Sequence, residues 1–239
     1  MWRITYSAGS AAANMHRAQQ LLNMLEHPAG GRLHCFTWNR PTVTYGVLAK
    51  PEQLLNLEGC MSCGLAVAKR PTGGGAMFHM EDCSFTVALP RSHHLYSPEP
   101  LKAYRAINRC VARAIRSISG IKVELASESY TASNPRTARF CMVTPTQYDL
   151  LCHGKKIGGA AQRHTRHGLI HQGSIAISRV SDHILSRCSR LTAAEIDEHH
   201  KNSTALCEQV DIADQCDWIA ALHRAISAEL TACTASALY

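Results

Sequence analysis

What this chain lacks narrows its function before any motif does. No apolar run approaches the ~18–20 residues of a membrane-spanning helix, so a transmembrane protein is excluded. The opening Met1-Trp2-Arg3-Ile4-Thr5-Tyr6 has no basic stretch leading into an apolar one, and no secretory signal is expected. There is no run of roughly five or six cations, which counts against a nucleic-acid partner. No Gly-Lys-Ser/Thr closes a glycine-rich loop, and no Gly-x-Ser-x-Gly elbow is present, which excludes a Walker A nucleotide loop and an α/β-hydrolase. Charged residues make up 18% and hydrophobic ones 46%, a balance that excludes a disordered chain. Neither a linker nor a repeat divides the 239 residues, so a single domain over residues 1–239 is expected, with closing helices from about 181 to 239.

Positive charge and cysteine are present in excess. Lys and Arg number 25 against 18 Asp and Glu, a net charge of +7 that suits an acidic macromolecular partner. The 11 cysteines are an odd number in a long chain, so a disulfide framework is not expected, and most read as small buried hydrophobes. Cys60-Met61-Ser62-Cys63 is a lone Cys-x-x-Cys with no second pair at zinc-ligand spacing, and no metal site is expected. The pairs His93-His94 and His199-His200 read as surface residues.

Apolar spacing predicts a helix over 11–27, ended by Pro28-Ala29-Gly30-Gly31, then strands at 33–38 and 41–46 and a short helix from Pro51. Strands follow at 65–70 and 84–89. Ser97-Pro98 reads as a helix start, with Leu101, Ile107, Val111, Ile115 and Ile118 as its apolar face. A strand at 121–125, a hairpin turning at His153-Gly154, a strand within 168–177, and helices over 192–210 and 217–230 complete the pattern. Interleaved helices and hairpins favour an α+β class with a mixed, largely antiparallel sheet.

Four segments could carry chemistry. Arg70-Pro71-Thr72-Gly73-Gly74-Gly75-Ala76-Met77-Phe78-His79 places three glycines beside an arginine; it reads either as a flexible turn or as a backbone cradle for an anion. Gly154-Lys155-Lys156-Ile157-Gly158-Gly159-Ala160-Ala161-Gln162-Arg163 again joins glycines to cations, and reads either as an exposed turn or as a charge-stabilising strand. Phe140-Cys141-Met142-Val143-Thr144-Pro145 carries a cysteine that on its own reads as inert, and His171-Gln172-Gly173-Ser174 opens a strand.

Together, in this order, these segments resemble the biotin/lipoate protein ligases and octanoyltransferases over about residues 10–215. The first matches that superfamily's R-x-[ST]-G-G-G-A-[VM]-[FY]-H loop, the second its G-[RK]-K-[IV]-x-G-x-A-Q-R strand, and His171-Gln172-Gly173 the stretch that follows. Phe140 to Leu150 resembles the C-F-x-x-P-S-x-Y-E-L segment of the cysteine-dependent octanoyltransferases. The resemblance implies a class II synthetase-like fold with an acyl tunnel between the two glycine segments, and no separate accessory domain. It implies catalytic roles for Cys141 as nucleophile and for Lys156, which would hold the thiol ionised and contact the acyl carbonyl. Arg70, Gly73, Gly74, Gly75, Ala76, His79, Gly158, Gly159, Gln162, His171 and Gly173 would bind substrate.

The activity so implied is transfer of an octanoyl or lipoyl group from an acyl-carrier protein thioester to a lysine of a lipoyl domain or of the glycine-cleavage H protein, by a cytoplasmic monomer that uses no cofactor. The other member of the superfamily that fits is a small lipoate–protein ligase, which would require ATP and Mg. Neither nucleic acid nor membrane is an expected partner.

Overall fold

The computed structural model describes residues 1–26, 30–128 and 140–233. Pro28 and Ala29, expected to end the first helix, lie outside the described residues.

The chain runs β1 (Trp2–Gly9), α1 (Ala11–Asn23), β2 (Gly31–Trp38), β3 (Thr42–Tyr45), α2 (Pro51–Leu54), α3 (Leu57–Ser62), β4 (Ala66–Lys69), β5 (Ala76–His79), β6 (Asp82–Pro90) and α4 (Pro100–Ser119). It continues through β7 (Glu124–Leu125), β8 (Leu150–Cys152), β9 (Lys155–Thr165), β10 (Gly168–Ala176), α5 (Asp182–Cys188), α6 (Ala193–Asn202) and α7 (Gln215–Ala232). The strands form two sheets rather than one: seven strands in the order β1-β2-β6-β10-β9-β8-β7, and three in the order β4-β3-β5. The large sheet is antiparallel except for β1 against β2, and the small one pairs β3 parallel to β4 and antiparallel to β5.

The α+β class with a mixed, largely antiparallel arrangement therefore stands. No helix among the described residues is long and apolar enough to cross a membrane.

Two cores position the site. The main one lies under the large sheet, where Phe85, Leu89, Leu169 and Ile175 meet Ile107, Val111 and Ile115 of α4 and Leu222 and Ile226 of α7, all fully buried. Each such side chain contributes about 1.5–3 kcal/mol by leaving water. The second core joins Val43 and Phe78 of the small sheet to Leu55, Leu185 and Cys188, and it includes Phe140 and Val143. Cys141 is thus flanked by two anchored apolar residues, and its N–H donates to the Ala76 carbonyl at 2.9 Å.

Several expectations shift. Helix α4 starts at Pro100, with Glu99 as cap, because the Ser97 hydroxyl accepts from the Glu99 N–H and closes a turn ahead of it. Leu101 is 52% exposed rather than on the buried face. The helix expected over 192–210 stops at Asn202: Ser203 bridges to Lys156, which pulls the chain onto the edge of β9. Strands β1 and β5 and helix α3 are additional to the sequence reading. His93 and His199 are buried, with only their neighbours turned outward. Of the cysteines, Cys35, Cys60, Cys83, Cys110, Cys152, Cys188 and Cys233 are buried and none is bridged.

Candidate active site

A cavity of about 180 Å³ opens between the sheets. Its wall takes Gly74 and Gly75 from the loop before β5, Gly159 to Ala161 from β9, Gly173 from β10 and Cys141 from the segment between the cores. Small residues line it because the backbone itself is the wall. Gly74 sits at φ +88, and a Cβ there would lie 2.7 Å from Arg70 Nη2 and 3.7 Å from Cys141 Sγ. At Gly173 a Cβ would lie 2.2 Å from the Phe85 ring. Met15, Phe36, Trp38 and Met77 supply the apolar remainder.

Two cations face this space, and they are held differently. Arg70, 6% exposed, folds back over its own loop. Its Nε and Nη2 donate to the Gly73 carbonyl at 3.0 and 2.7 Å, Nη1 donates to Thr44, and Nη2 also reaches Cys141 Sγ at 3.5 Å. Lys156, 4% exposed on β9, gives its ammonium to Asp149 Oδ2 at 2.6 Å and to the Thr144 carbonyl at 3.4 Å. Asp149 accepts further from Thr146 N at 2.7 Å, Thr146 Oγ1 at 2.8 Å and Tyr104 OH at 2.5 Å. Lys156 is thus paired with Asp149, and among the described residues the hydrogen bond to the Cys141 sulfur comes from Arg70. Lys156 is not in an exposed turn; it is one half of a buried ion pair. Burial, with the adjacent Asp149 charge next, pushes the Tyr104 phenol well above its ordinary range, so Tyr104 stays a neutral donor.

A third polar group lies deeper. His79 Nδ1 donates to Asp82 at 2.8 Å, and the Ser84 and Ser174 hydroxyls donate to the same oxygen at 2.6 and 2.5 Å. Burial opposes ionisation of Asp82, yet His79 and the two hydroxyls outweigh it and hold the carboxyl below its usual range.

Cys141, Lys156, Arg70, Gly74, Gly75, His79, Gly159 and Gly173 are brought together around the cavity. Gly73 and Ala76 stand behind it and act through their carbonyls. Gly158 lies within the sheet, where a Cβ would meet the Ser174 carbonyl at 2.7 Å. His171 is fully buried, stacked on Phe85, and burial lowers its pKa to about 3; Gln162 contacts its Nδ1 at 3.1 Å. Among the groups named only from the structure, Asp149 and Tyr104 matter most. A polar residue at the end of an apolar segment signals burial only through its partners, and Tyr104 lies on another element. Cys152, the neighbouring cysteine, is buried in the sheet, and burial raises its pKa.

Fold and site together define an α+β domain of the lipoate–protein ligase kind. Lipoate-protein ligase A bound with ATP superposes with a TM-score of 0.74 at 18% identity, over 96% of this chain and 85% of that one. A bi-partite lipoate protein ligase from Thermoplasma acidophilum, solved in work that included its E2 lipoyl domain, gives 0.71 at 18% identity, over 96% and 83%. The chain belongs to the lipoyl protein ligase A/B catalytic domain family, whose model matches residues 10–217. Similar sequences include octanoyltransferase LipM of Anoxybacillus flavithermus, 28% identical over 78% of this chain and 69% of the relative. LipM of Oceanobacillus iheyensis is 30% identical over 70% of this chain and 60% of the relative. The chain thus spans about two thirds of the length of the curated relatives it matches.

Proposed function

We propose that this chain is a cytoplasmic acyltransferase of protein lipoylation, which moves an octanoyl or lipoyl group from an acyl-carrier protein thioester onto a lysine of a lipoyl domain or glycine-cleavage H protein. The observation that carries this reading is the Cys141 thiol, half-buried at the cavity wall with a guanidinium aimed at its sulfur. The similarity to octanoyltransferases supports it. A cytoplasmic place suits a chain whose 11 cysteines are all unbridged.

In the first half-reaction the Cys141 thiolate attacks the thioester carbonyl, a new C–S bond forms, and the carrier leaves as a thiolate that takes a proton from water. The acyl tail occupies the apolar part of the cavity, and N–H groups of a glycine segment together with Lys156 stabilise the developing oxyanion. In the second, the neutral amine of the acceptor lysine attacks the acyl-Cys141 carbonyl. The amide forms, the Cys141 thiolate is released, and the amine proton passes to solvent. Neither half consumes a cofactor.

Fold alone is shared with a ligase that binds ATP, so the test must separate the two donors. Enzyme mixed with octanoyl carrier protein should gain one octanoyl mass that hydroxylamine removes and Cys141→Ala never acquires. Full modification of a lipoyl domain by Cys141→Ala with free octanoate, ATP and Mg would establish the ligase instead.

A further inference from the structure

The geometry points to Arg70, rather than Lys156, as the cation that serves the Cys141 sulfur when it acts as a nucleophile, and to Thr44, His79 and Asp82 as the positioning residues that hold Arg70 against it. A buried cation is costly unless an anion answers it. No carboxylate among the described residues lies within ion-pair distance of Arg70. Its N–H groups are spent on the Gly73 and Thr44 carbonyls, the Thr44 hydroxyl and the Cys141 sulfur. Of these acceptors only the sulfur can become negative. Lys156 is the opposite case: a carboxylate, Asp149, already answers it, and Asp149 takes further donors from Thr146 and Tyr104. The other titratable group on the cavity wall is His79.

His79 belongs to the chain of contacts behind Arg70. His79 Nδ1 meets Asp82 at 2.8 Å, and its Nε2 is hydrogen-bonded to the Thr44 hydroxyl at 2.9 Å. The same hydroxyl oxygen receives Arg70 Nη1 at 3.2 Å. Arg70, Thr44, His79 and Asp82 are thereby linked in one hydrogen-bonded series, and the second oxygen of Asp82 is buried with no hydrogen-bond partner among the described residues. Replacing Thr44 by Val keeps the shape and cuts the series.

The catalytic meaning of this inference rests on Cys141 as nucleophile, but its test needs no acyl donor. Iodoacetamide alkylation is followed at each cysteine by peptide mass spectrometry, with exposed Cys207 and Cys216 as internal references. In Arg70→Met, Cys141 alkylation at pH 7 should slow about tenfold or more relative to those references, the scale of losing an opposite charge at this range. Arg70→Lys should recover part of the rate, and Thr44→Val should show a smaller slowing in the same direction. The charge-neutral double change Lys156→Met with Asp149→Asn should leave the rate unchanged. Should Arg70→Met unfold, seen as reaction of the buried cysteines, the Lys and Val variants decide. Alkylation as fast as wild type in both Arg70→Lys and Thr44→Val, or a double variant as slow as Arg70→Met, overturns the assignment. Slowing in Arg70→Met without any acyl-enzyme would sink the transferase reading and leave this one standing.

Discussion

At the scale of single residues, the site is built by what is missing from side chains. Gly74 combines a left-handed backbone with the closest approach to Arg70. Gly74→Ala should therefore cost about 1–2 kcal/mol for the conformation, and slow transfer further by pushing the guanidinium off Cys141. Gly73→Ala meets open space at an ordinary φ, and since Gly73 works through its carbonyl, that variant should stay folded and active. Urea unfolding and transfer rate, measured on both, check the contrast; equal losses would remove Arg70 from the argument. At Gly159 an alanine Cβ would lie 2.7 Å from Asp149 Oδ1 and 2.9 Å from Lys156 Cε, so Gly159→Ala should separate that pair and reduce transfer more than stability. The glycines, the thiol and both cations are legible in the sequence, because each sits in a short contiguous motif. Which cation serves the thiol is not legible, since that depends on where Asp149 lies, and nothing in the local run Tyr148-Asp149-Leu150 says that the carboxylate faces β9.

At the scale of elements, helix α4 does more than cover the sheet. Its Tyr104 hydroxyl accepts from Ala160 N of β9 at 2.9 Å while donating to Asp149, and Asn108 Nδ2 donates to the Tyr148 carbonyl at 2.8 Å. Tyr148 is held at φ +69, an uncommon conformation for a bulky residue, so the turn that presents Asp149 depends on this grip. Tyr104→Phe leaves a buried carboxylate oxygen and a half-buried N–H without their partner, and should destabilise by about 1–3 kcal/mol in urea unfolding. Its transfer rate should fall with it, as Lys156 loses a fixed partner. A Tyr104→Phe protein as stable and active as wild type would confine α4 to a packing role. The helix itself was readable from its apolar period, as was the His153-Gly154 hairpin, where both turn residues take positive φ as such a turn requires. Strand β1 was not, because it is a mostly exposed edge strand whose alternation is limited to Trp2 and Ile4 and fades beyond them. The separation into two sheets was equally hidden, for it is set by which strands pair at long range.

At the scale of the whole molecule, five histidines are buried without the charge they would carry in water. Burial lowers His171 to about 3, and lowers His34, His93, His199 and His223 to about 4, helped at His34 by Arg17, at His93 by His94 and at His199 by His200. The direction of the consequence follows from proton counting. In the unfolded chain each takes a proton near the ordinary value of about 6.5, while in the native state it does not until pH 3–4. Between those limits the unfolded state binds more protons, so stability rises with pH and is lost as pH falls. Each fully shifted histidine removes up to about 1.4 kcal/mol per pH unit over that window, against a total stability of order 5–15 kcal/mol for a domain. Two of them acting in full are enough to weaken the fold seriously by pH 5. The urea midpoint should therefore fall steadily from pH 7.5 to pH 5, well above the range in which the carboxylates Asp82 and Glu208, both held below their usual values, begin to contribute. In proton NMR of the native protein, the five imidazole ring signals should not titrate down to pH 5. A flat urea midpoint across that interval, or ring signals that titrate near 6.5, would show that these side chains reach water in the native state, and the packing of the core around His171 and His223 would have to be redrawn.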